Sequence, residues 1–177
     1  TGSWYSIKAQ DQLFYECRIK GKFRIQGIKS TNPLSVGDVV DFDLETSNNT
    51  QTGVISSIHP RKNYIVRKSV NLSKQTHIIA SNIDQVFLLV TIDNPPTSTS
   101  FIDRFLATTE AYSIKAVILF NKVDVNNAAS NNIVKKLRTL YEGIGYQCLI
   151  ISAKTGENIE SVKKLMTGKS SMFAEIG

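Results

Sequence analysis

Three short apolar runs in the second half of the chain constrain its fold more than any other feature. Largely apolar runs of this length are typical of strands that are covered on both faces. A segment with helical spacing of apolar side chains follows each run, and a fourth strand is predicted at 170–173. The runs are Val86–Ile92, Val117–Phe120 and Tyr146–Ile151. This regular alternation of strand and helix predicts a parallel α/β sheet.

The helices between these strands have a predictable buried side. In the second helix, over 126–141, the spacing places Ile133, Leu137 and Leu140 inward. The first helix is expected to begin with a capping box formed by Ser100 and Asp103.

The first seventy residues have a different pattern, with five short strands and no predicted helix. The clearest strand alternates, with Tyr15, Cys17 and Ile19 on one side and Glu16 and Arg18 on the other. Many short strands in so few residues indicate a small barrel, for which an OB-type barrel is the commonest fit and an SH3-like barrel is the competitor. We therefore predict an OB-type barrel over 1–70, with a polar loop over 47–52, a linker over 71–82 and an α/β domain over 83–177.

Two polar motifs stand where predicted strands end. Asn121, Lys122 and Asp124 form an Asn-Lys-x-Asp pattern after one strand, and Ser152-Ala153-Lys154 follows the next. Ligands of parallel α/β sheets bind at the carboxyl ends of the strands. The two motifs are therefore expected to form one binding site.

The residue types in these motifs suit guanine. The Asp124 carboxylate can accept hydrogen bonds from N1–H and the 2-amino group together, and adenine offers neither donor there. Asn121 can brace the loop and reach the N7 edge, while Ser152 can hold Asp124 in place. The main-chain N–H of Ala153 can donate to O6. The aliphatic stems of Lys122 and Lys154 can cover the two ring faces.

A second nucleotide-like motif, Gly168-Lys169-Ser170, resembles the end of a phosphate-binding loop. Such a loop needs a glycine five residues earlier, and position 163 is Lys. It also needs a preceding strand and a following helix, whereas here the order is reversed. We therefore predict a turn at Gly168.

Basic residues are concentrated in the first half of the chain. The net charge is +6, and most of it lies before residue 81, which suggests that any polyanionic partner binds there. Lys and Arg neutralise phosphates, and Tyr64 could stack on an unpaired base, although it could equally belong to the core. The candidate RNA-binding residues are Arg18, Lys20, Lys22 and Arg24, then Arg61, Lys62, Arg67 and Lys68.

Other features exclude several classes of protein. No apolar run is long enough to span a bilayer, and no secretory signal is evident, so a cytoplasmic protein without a membrane partner is expected. Cys17 and Cys148 are expected to be buried free thiols, and with only two isolated histidines no zinc site can be assembled.

The whole pattern resembles the circularly permuted, small-ribosomal-subunit biogenesis GTPases of the RsgA type. In that family an OB barrel precedes a GTPase domain that begins with the base-recognition motifs and reaches the phosphate loop afterwards. The matching segments span nearly the whole chain, at Pro60–Arg67, Ile79–Val86, Asp103–Leu106, Asn121–Asp124 and Ser152–Gly156.

This resemblance implies GTP hydrolysis with Mg²⁺ during late maturation of the small ribosomal subunit, with rRNA as a partner and a monomeric protein. The family's phosphate loop, switch regions and Cys/His zinc module have no counterpart in these residues, so no catalytic residue or metal ligand can be named. The competing hypothesis is a non-enzymatic OB-fold RNA-binding protein whose α/β half is a degenerate, nucleotide-free scaffold.

Overall fold

The computed structural model describes residues 4–19, 33–45, 52–68 and 76–176, with backbone only at 67, 68 and 76. The chain divides into two compact units, Thr1–Asn82 (unit 1) and Ile83–Gly177 (unit 2). Within the described part, no helix is both long and apolar enough to cross a membrane.

Unit 1 is built from strands. The strands are β1 (Tyr5–Lys8), β2 (Phe14–Ile19), β3 (Val40–Leu44), β4 (Thr52–Ile58), β5 (Tyr64–Lys68) and β6 (Thr76–Ser81). A four-stranded sheet has the order β1-β2-β4-β3, in which β2 and β4 are parallel and the other pairs are antiparallel. The strands β5 and β6 form a separate antiparallel pair.

The predicted alternation in β2 is confirmed. Cys17 is fully buried, and it forms a small core with Leu34 and Ile55. Tyr15 is half-buried and its ring lies 5.3 Å from that of Phe42. The side chains between these positions are exposed, as a sheet with one covered face requires.

A buried ion pair in unit 1 joins the segment after β4 to the turn before β3, and a hydroxyl from β6 joins the same cluster. Arg61 donates from two nitrogens to the carboxylate of Asp38, each at 2.6 Å, and the side chains are only 6% and 2% exposed. Ser81 Oγ donates to the same carboxylate at 2.5 Å. Burial raises the pKa of Asp38, but the hydrogen bonds from Arg61, Ser81 and Ser35 outweigh it and hold that pKa below its usual value.

The end of unit 1 differs from the sequence prediction. Residues 76–81, which the sequence predicts to be part of a linker, form β6 instead, and the main-chain N–H of Ser81 donates to the Val36 carbonyl at 2.9 Å. A Cβ on Gly37 (φ 92°) would lie 2.1 Å from the Ser81 carbonyl oxygen, so glycine is required at this approach. The remaining linker residues, 71–75, and the predicted polar loop up to residue 51 lie outside the described residues.

Unit 2 has the predicted parallel α/β sheet. Its elements are β7 (Gln85–Val90), α1 (Thr99–Ala111), β8 (Lys115–Phe120), α2 (Ala128–Gly143), β9 (Gln147–Ile150), α3 (Ile159–Met166) and β10 (Ser171–Ala174). The four strands have the order β10-β7-β8-β9, and all neighbouring pairs are parallel. Phe120 is in register with Val90 and with Ile150, so the carboxyl ends of the three strands are level.

The start of β10 is fixed to the start of β7. The carboxylate of Asp84 accepts from Ser170 N at 2.8 Å. Gln85, which is fully buried, donates to Ser171 Oγ at 3.0 Å. These contacts join residues that are 86 positions apart in the chain.

The predicted inward face of α2 is wrong at two of its three positions. Ile133 and Leu140 are 45% and 54% exposed, whereas Val134 and Tyr141 are buried and Leu137 is half-buried. One residue turns a helix by about 100°, so the buried face is rotated relative to the predicted one. Tyr141 decides the orientation, because its hydroxyl donates to Asp103 of α1 at 2.8 Å.

The predicted capping box of α1 is also wrong. The cap is Ser98, whose Oγ accepts from the main-chain N–H of Phe101 at 3.3 Å. Asp103 bonds to Tyr141 of α2 instead.

Candidate functional site

The two motifs meet at the carboxyl ends of β8 and β9, as predicted. Asn121 directly follows β8, and its main-chain N–H donates to Val90 at the end of β7, at 2.8 Å. Lys122 has a left-handed backbone (φ 64°) and leads into a short 3-10 helix, Val123–Val125. Ser152 follows β9 and is fully buried.

Asp124 is held by Ser152. Ser152 Oγ donates to Asp124 Oδ1 at 2.7 Å and accepts from the main-chain N–H of Thr155 at 3.1 Å. The hydroxyl is therefore oriented from both sides, and the prediction that Ser152 holds Asp124 is confirmed. Among the residues that the structure describes, none donates a hydrogen bond to Asp124 Oδ2, and the side chain is exposed.

Asn121 braces the second motif. Its Oδ1 accepts from the main-chain N–H of Ala153 at 3.1 Å. The sequence predicts that Asn121 braces the loop, which this contact confirms. It also predicts that the Ala153 N–H donates to a ligand. In this structure that donor is already engaged.

A cleft of about 220 Å³ opens beside these residues. Its lining contains five of the six predicted base-binding residues together with Val125, which is 66% exposed. The lining residues are Asn121, Lys122, Asp124, Val125, Ala153 and Lys154. The sequence prediction missed Val125, although its place directly after Asp124 in a tight turn is a usable signal.

The sequence prediction also missed a contact outside both motifs. The ammonium group of Lys122 donates to the main-chain carbonyl of Asn94 at 2.5 Å. Asn94 lies in the loop that follows β7. No sequence motif marks a main-chain acceptor of this kind.

The predicted basic residues of unit 1 have different environments. Arg61 is committed to the buried ion pair with Asp38, so the prediction that it belongs to an exposed RNA-binding cluster is wrong. Arg18 is half-exposed and pairs with Glu45 at 2.5 Å, and Lys62 is exposed. Lys20, Lys22 and Arg24, and the side chains of Arg67 and Lys68, lie outside the described residues.

The segment around Gly168 is a turn, as predicted. Gly168 has φ 69° and the main-chain N–H of Lys169 donates to Met166 at 3.0 Å. The segment joins the end of α3 to β10 and lacks the following helix that a phosphate-binding loop requires.

The cysteines are buried free thiols, as predicted. Burial raises the pKa of Cys148 to about 11, which leaves its thiol protonated and unreactive at neutral pH. Within the described ranges, no group of three His, Cys, Asp or Glu side chains could hold a metal ion.

Comparison with solved structures defines the class of the protein. A crystal structure of YloQ, described as a circularly permuted GTPase, superposes with a TM-score of 0.74 at 25% identity, over 99% of this chain and 57% of that one. The crystal structure of YjeQ from Thermotoga maritima superposes with a TM-score of 0.78 at 32% identity, over 98% and 56%. The fold is thus that of a circularly permuted GTPase.

Sequence comparison defines the family. Residues 58–175 match the RsgA GTPase family, and residues 1–55 match the RsgA N-terminal domain. The small ribosomal subunit biogenesis GTPase RsgA of Christiangramia forsetii is 65% identical over 174 residues, which are 98% of this chain and 55% of that protein. The chain therefore belongs to the RsgA family. It spans about half the length of the relatives it matches.

Proposed function

We propose that this chain supplies the guanine-binding half of a GTPase that acts in assembly of the small ribosomal subunit. The observation that carries the proposal is the Asp124 carboxylate, which Ser152 orients at 2.7 Å beside an open cleft. Family membership and the names of the relatives support the assembly role.

Guanine specificity follows from the acceptors of Asp124. Oδ1 keeps one lone pair beyond its bond to Ser152, and Oδ2 has no partner among the described residues. The carboxylate can therefore accept from N1–H and from the 2-amino group of guanine. Adenine would leave this charged acceptor desolvated and unpaired, which is the basis of strong discrimination.

The remaining edge and faces of the base have partners in the same cleft. Guanine O6 would share the Ala153 N–H with Asn121 Oδ1, which accepts from that donor at 3.1 Å. The stems of Lys122 and Lys154 would lie against the ring, as apolar stems of charged side chains commonly do.

We propose GTP hydrolysis only for the full-length protein, not for the described residues alone. Among the described residues, no group of three or more His, Cys, Asp or Glu side chains is placed to hold a metal ion. We therefore assign no catalytic step to them. GTP with Mg²⁺ as the substrate is proposed from the family alone.

The test of this proposal is nucleotide selectivity of the full-length protein. We expect binding of GDP but not ADP. Asp124→Asn should weaken GDP binding about 100-fold, as expected for loss of a bidentate charge-assisted contact, and should improve binding of xanthosine diphosphate. Equilibrium titration with fluorescent nucleotides measures both effects.

Asp43→Asn is the matched control, because Asp43 is exposed on β3 and lies outside the cleft. It should leave both affinities unchanged. Equal binding of GDP and ADP, or no gain of xanthosine diphosphate in Asp124→Asn, would refute guanine recognition. That result would favour the non-enzymatic RNA-binding alternative.

For unit 1 we propose an OB-type barrel that binds rRNA of the small ribosomal subunit, in a cytoplasmic, monomeric protein. The proposed domain division is 1–82 and 83–177, because β6 pairs with β5 rather than serving as a linker. The proposed RNA-binding face now excludes Arg61. It retains Arg18, Lys20, Lys22, Arg24, Lys62, Arg67 and Lys68.

This RNA contact is tested by its salt dependence. Each phosphate contact contributes about −0.7 to −0.9 to the slope of log K against log salt concentration. Lys62→Ala should therefore reduce the slope for binding to small ribosomal subunits by about one contact. Lys136→Ala, an exposed lysine of α2, is the control and should leave the slope unchanged. A wild-type affinity that does not change with salt would contradict the basic face.

A further inference from the structure

The Lys122 side chain is fixed at its charged end. It lines the cleft, and its ammonium donates to the carbonyl oxygen of Asn94 at 2.5 Å. A lysine side chain is long and flexible, so an isolated Lys122 would lose considerable rotamer freedom on packing against a ligand. An ammonium that is already anchored removes part of that cost.

The anchor is part of a closed loop, residues 91–97. At its ends, the main-chain N–H of Thr97 donates to the Thr91 carbonyl at 2.8 Å, and Thr97 Oγ1 accepts from Thr91 N at 3.2 Å. Thr91 Oγ1 also donates to the Pro95 carbonyl at 2.5 Å. Both threonines are only 9% exposed. Hydrogen bonds among its own polar groups therefore hold the two ends of the loop together.

The same loop is joined to α2. Ser130 Oγ donates to Asp93 Oδ2 at 2.7 Å, and Ser130 is 4% exposed. The main-chain N–H of Ser130 donates to Asn127 Oδ1, the cap of α2, at 2.9 Å. This helix, α2, follows the Asn-Lys-x-Asp motif in the chain. Loop 91–97 and the motif are therefore both attached to α2.

We propose that loop 91–97 positions Lys122, and that Asp93 and Ser130 are positioning residues for base binding. The Asp93–Ser130 bond sets the place of the Asn94 carbonyl. That carbonyl holds the ammonium so that the stem of Lys122 lies along the cleft wall before the base arrives. The inference rests on the proposed binding of a guanine nucleotide to this cleft.

The test is a double-mutant cycle on GDP affinity in the full-length protein. Ser130→Ala removes the hydroxyl contacts to Asp93 and to Asn127 Oδ1 (3.1 Å) but keeps the main-chain cap of α2. Lys122→Met keeps an apolar stem but removes the ammonium. We expect Ser130→Ala alone to weaken GDP binding about three- to tenfold, and to have no further effect in the Lys122→Met background, because coupled residues are non-additive.

Ser161→Ala is the matched control, since it removes an exposed serine hydroxyl from α3. It should leave GDP affinity unchanged in both backgrounds. If Ser130→Ala does not fold, Asp93→Ala tests the same bond from the other side. Additive effects of the two substitutions would overturn the positioning role.

A second measurement distinguishes an effect on the position of Lys122 from an effect on Asp124, the residue proposed to recognise guanine. The stem of Lys122 contacts the ring face, so loss of its anchor should weaken GDP and inosine diphosphate binding by the same factor. A changed ratio of these affinities would mean that Ser130→Ala acts through Asp124, and would overturn the proposal. If the wild-type protein binds no guanine nucleotide, the proposed function itself fails.

Discussion

Asp38 in unit 1 and Asp124 in unit 2 share one contact, a hydrogen bond from a serine hydroxyl, but differ in their burial and in their other partners. Each carboxylate accepts a hydrogen bond from a serine hydroxyl, from Ser81 at 2.5 Å and from Ser152 at 2.7 Å. Asp38 also carries two bonds from Arg61 and is 2% exposed. Asp124 is exposed and has no cation against it among the described residues.

The difference lies in how the charge is compensated. A buried carboxylate needs a cation and several donors, and Asp38 has both, so all its acceptors are used within the fold. Asp124 receives one oriented donor and keeps the rest of its acceptors for another molecule. A hydrogen bond from a serine hydroxyl therefore helps a carboxylate to stabilise the fold in unit 1 and orients a carboxylate to accept from a ligand in unit 2.

The largest expected effect is on Asp38. Asp38→Ala leaves the Arg61 guanidinium buried without its partner, and we expect it to lower the free energy of unfolding of unit 1 by about 3–5 kcal/mol. Chemical denaturation measures this loss. Asp43→Ala, an exposed aspartate of the same unit, should change it by less than about 0.5 kcal/mol.

An apolar replacement of the pair sharpens the comparison. If the pair is a structural tie, Asp38→Leu combined with Arg61→Met should recover most of the stability lost by Asp38→Ala, because well-packed apolar residues often replace buried ion pairs without loss. Guanine nucleotide affinity should remain at the wild-type value in this double variant. A double variant that folds but binds GDP poorly would contradict the purely structural role.

A smaller effect is expected at Ser152. Ser152→Ala removes the donor that orients Asp124, and we expect GDP affinity to fall about tenfold, within the range for a hydrogen bond to a charged group. The measurement is the same titration as for Asp124→Asn. An unchanged affinity would show that Asp124 needs no clamp, and the parallel between the two carboxylates would then be one of geometry only.

The smallest effect is a dependence of stability on acidity. The pKa of Asp38 is lowered in the folded protein, so its stabilising contribution is complete above the unfolded pKa of about 3.9 and is lost as the pH falls through the folded value. Hydrogen bonds from Ser57 and His59 also lower the pKa of Asp41, which adds to the same slope. Unfolding measured between pH 6 and 2.5 should show a shallower slope in Asp38→Ala than in the wild type.

The elements of unit 2 could be predicted because their signal is local. The strands are predicted from largely apolar runs such as Val86–Val90, and the Ser152–Asp124 bond follows from two motifs at the level ends of neighbouring strands. The face of α2 could not be predicted in this way, since Ile133 and Val134 are both apolar. The choice depends on the Tyr141 hydroxyl reaching Asp103 on another helix.

The buried position of Arg61 was beyond sequence reasoning for a related reason. A positive side chain in a basic stretch predicts an exposed patch, and only the fold brings Asp38 and Ser81 to it from distant positions. The Lys122–Asn94 contact was likewise hidden, because its acceptor is a main-chain carbonyl. The spacing of apolar residues in a sequence does not show which distant polar groups will pair in the folded protein.

The attachment of β10 beside β7 has a consequence for the order in which the molecule can assemble. Closing a loop of 86 residues costs more chain entropy than closing the shorter loops inside unit 2, so we expect this contact to form after them. The base site does not depend on it, because the contacts that organise the site connect residues between Val90 and Asn158. During synthesis, a nascent chain that has emerged through Asn158 already contains all the residues of the site described above, before β10 has left the exit tunnel.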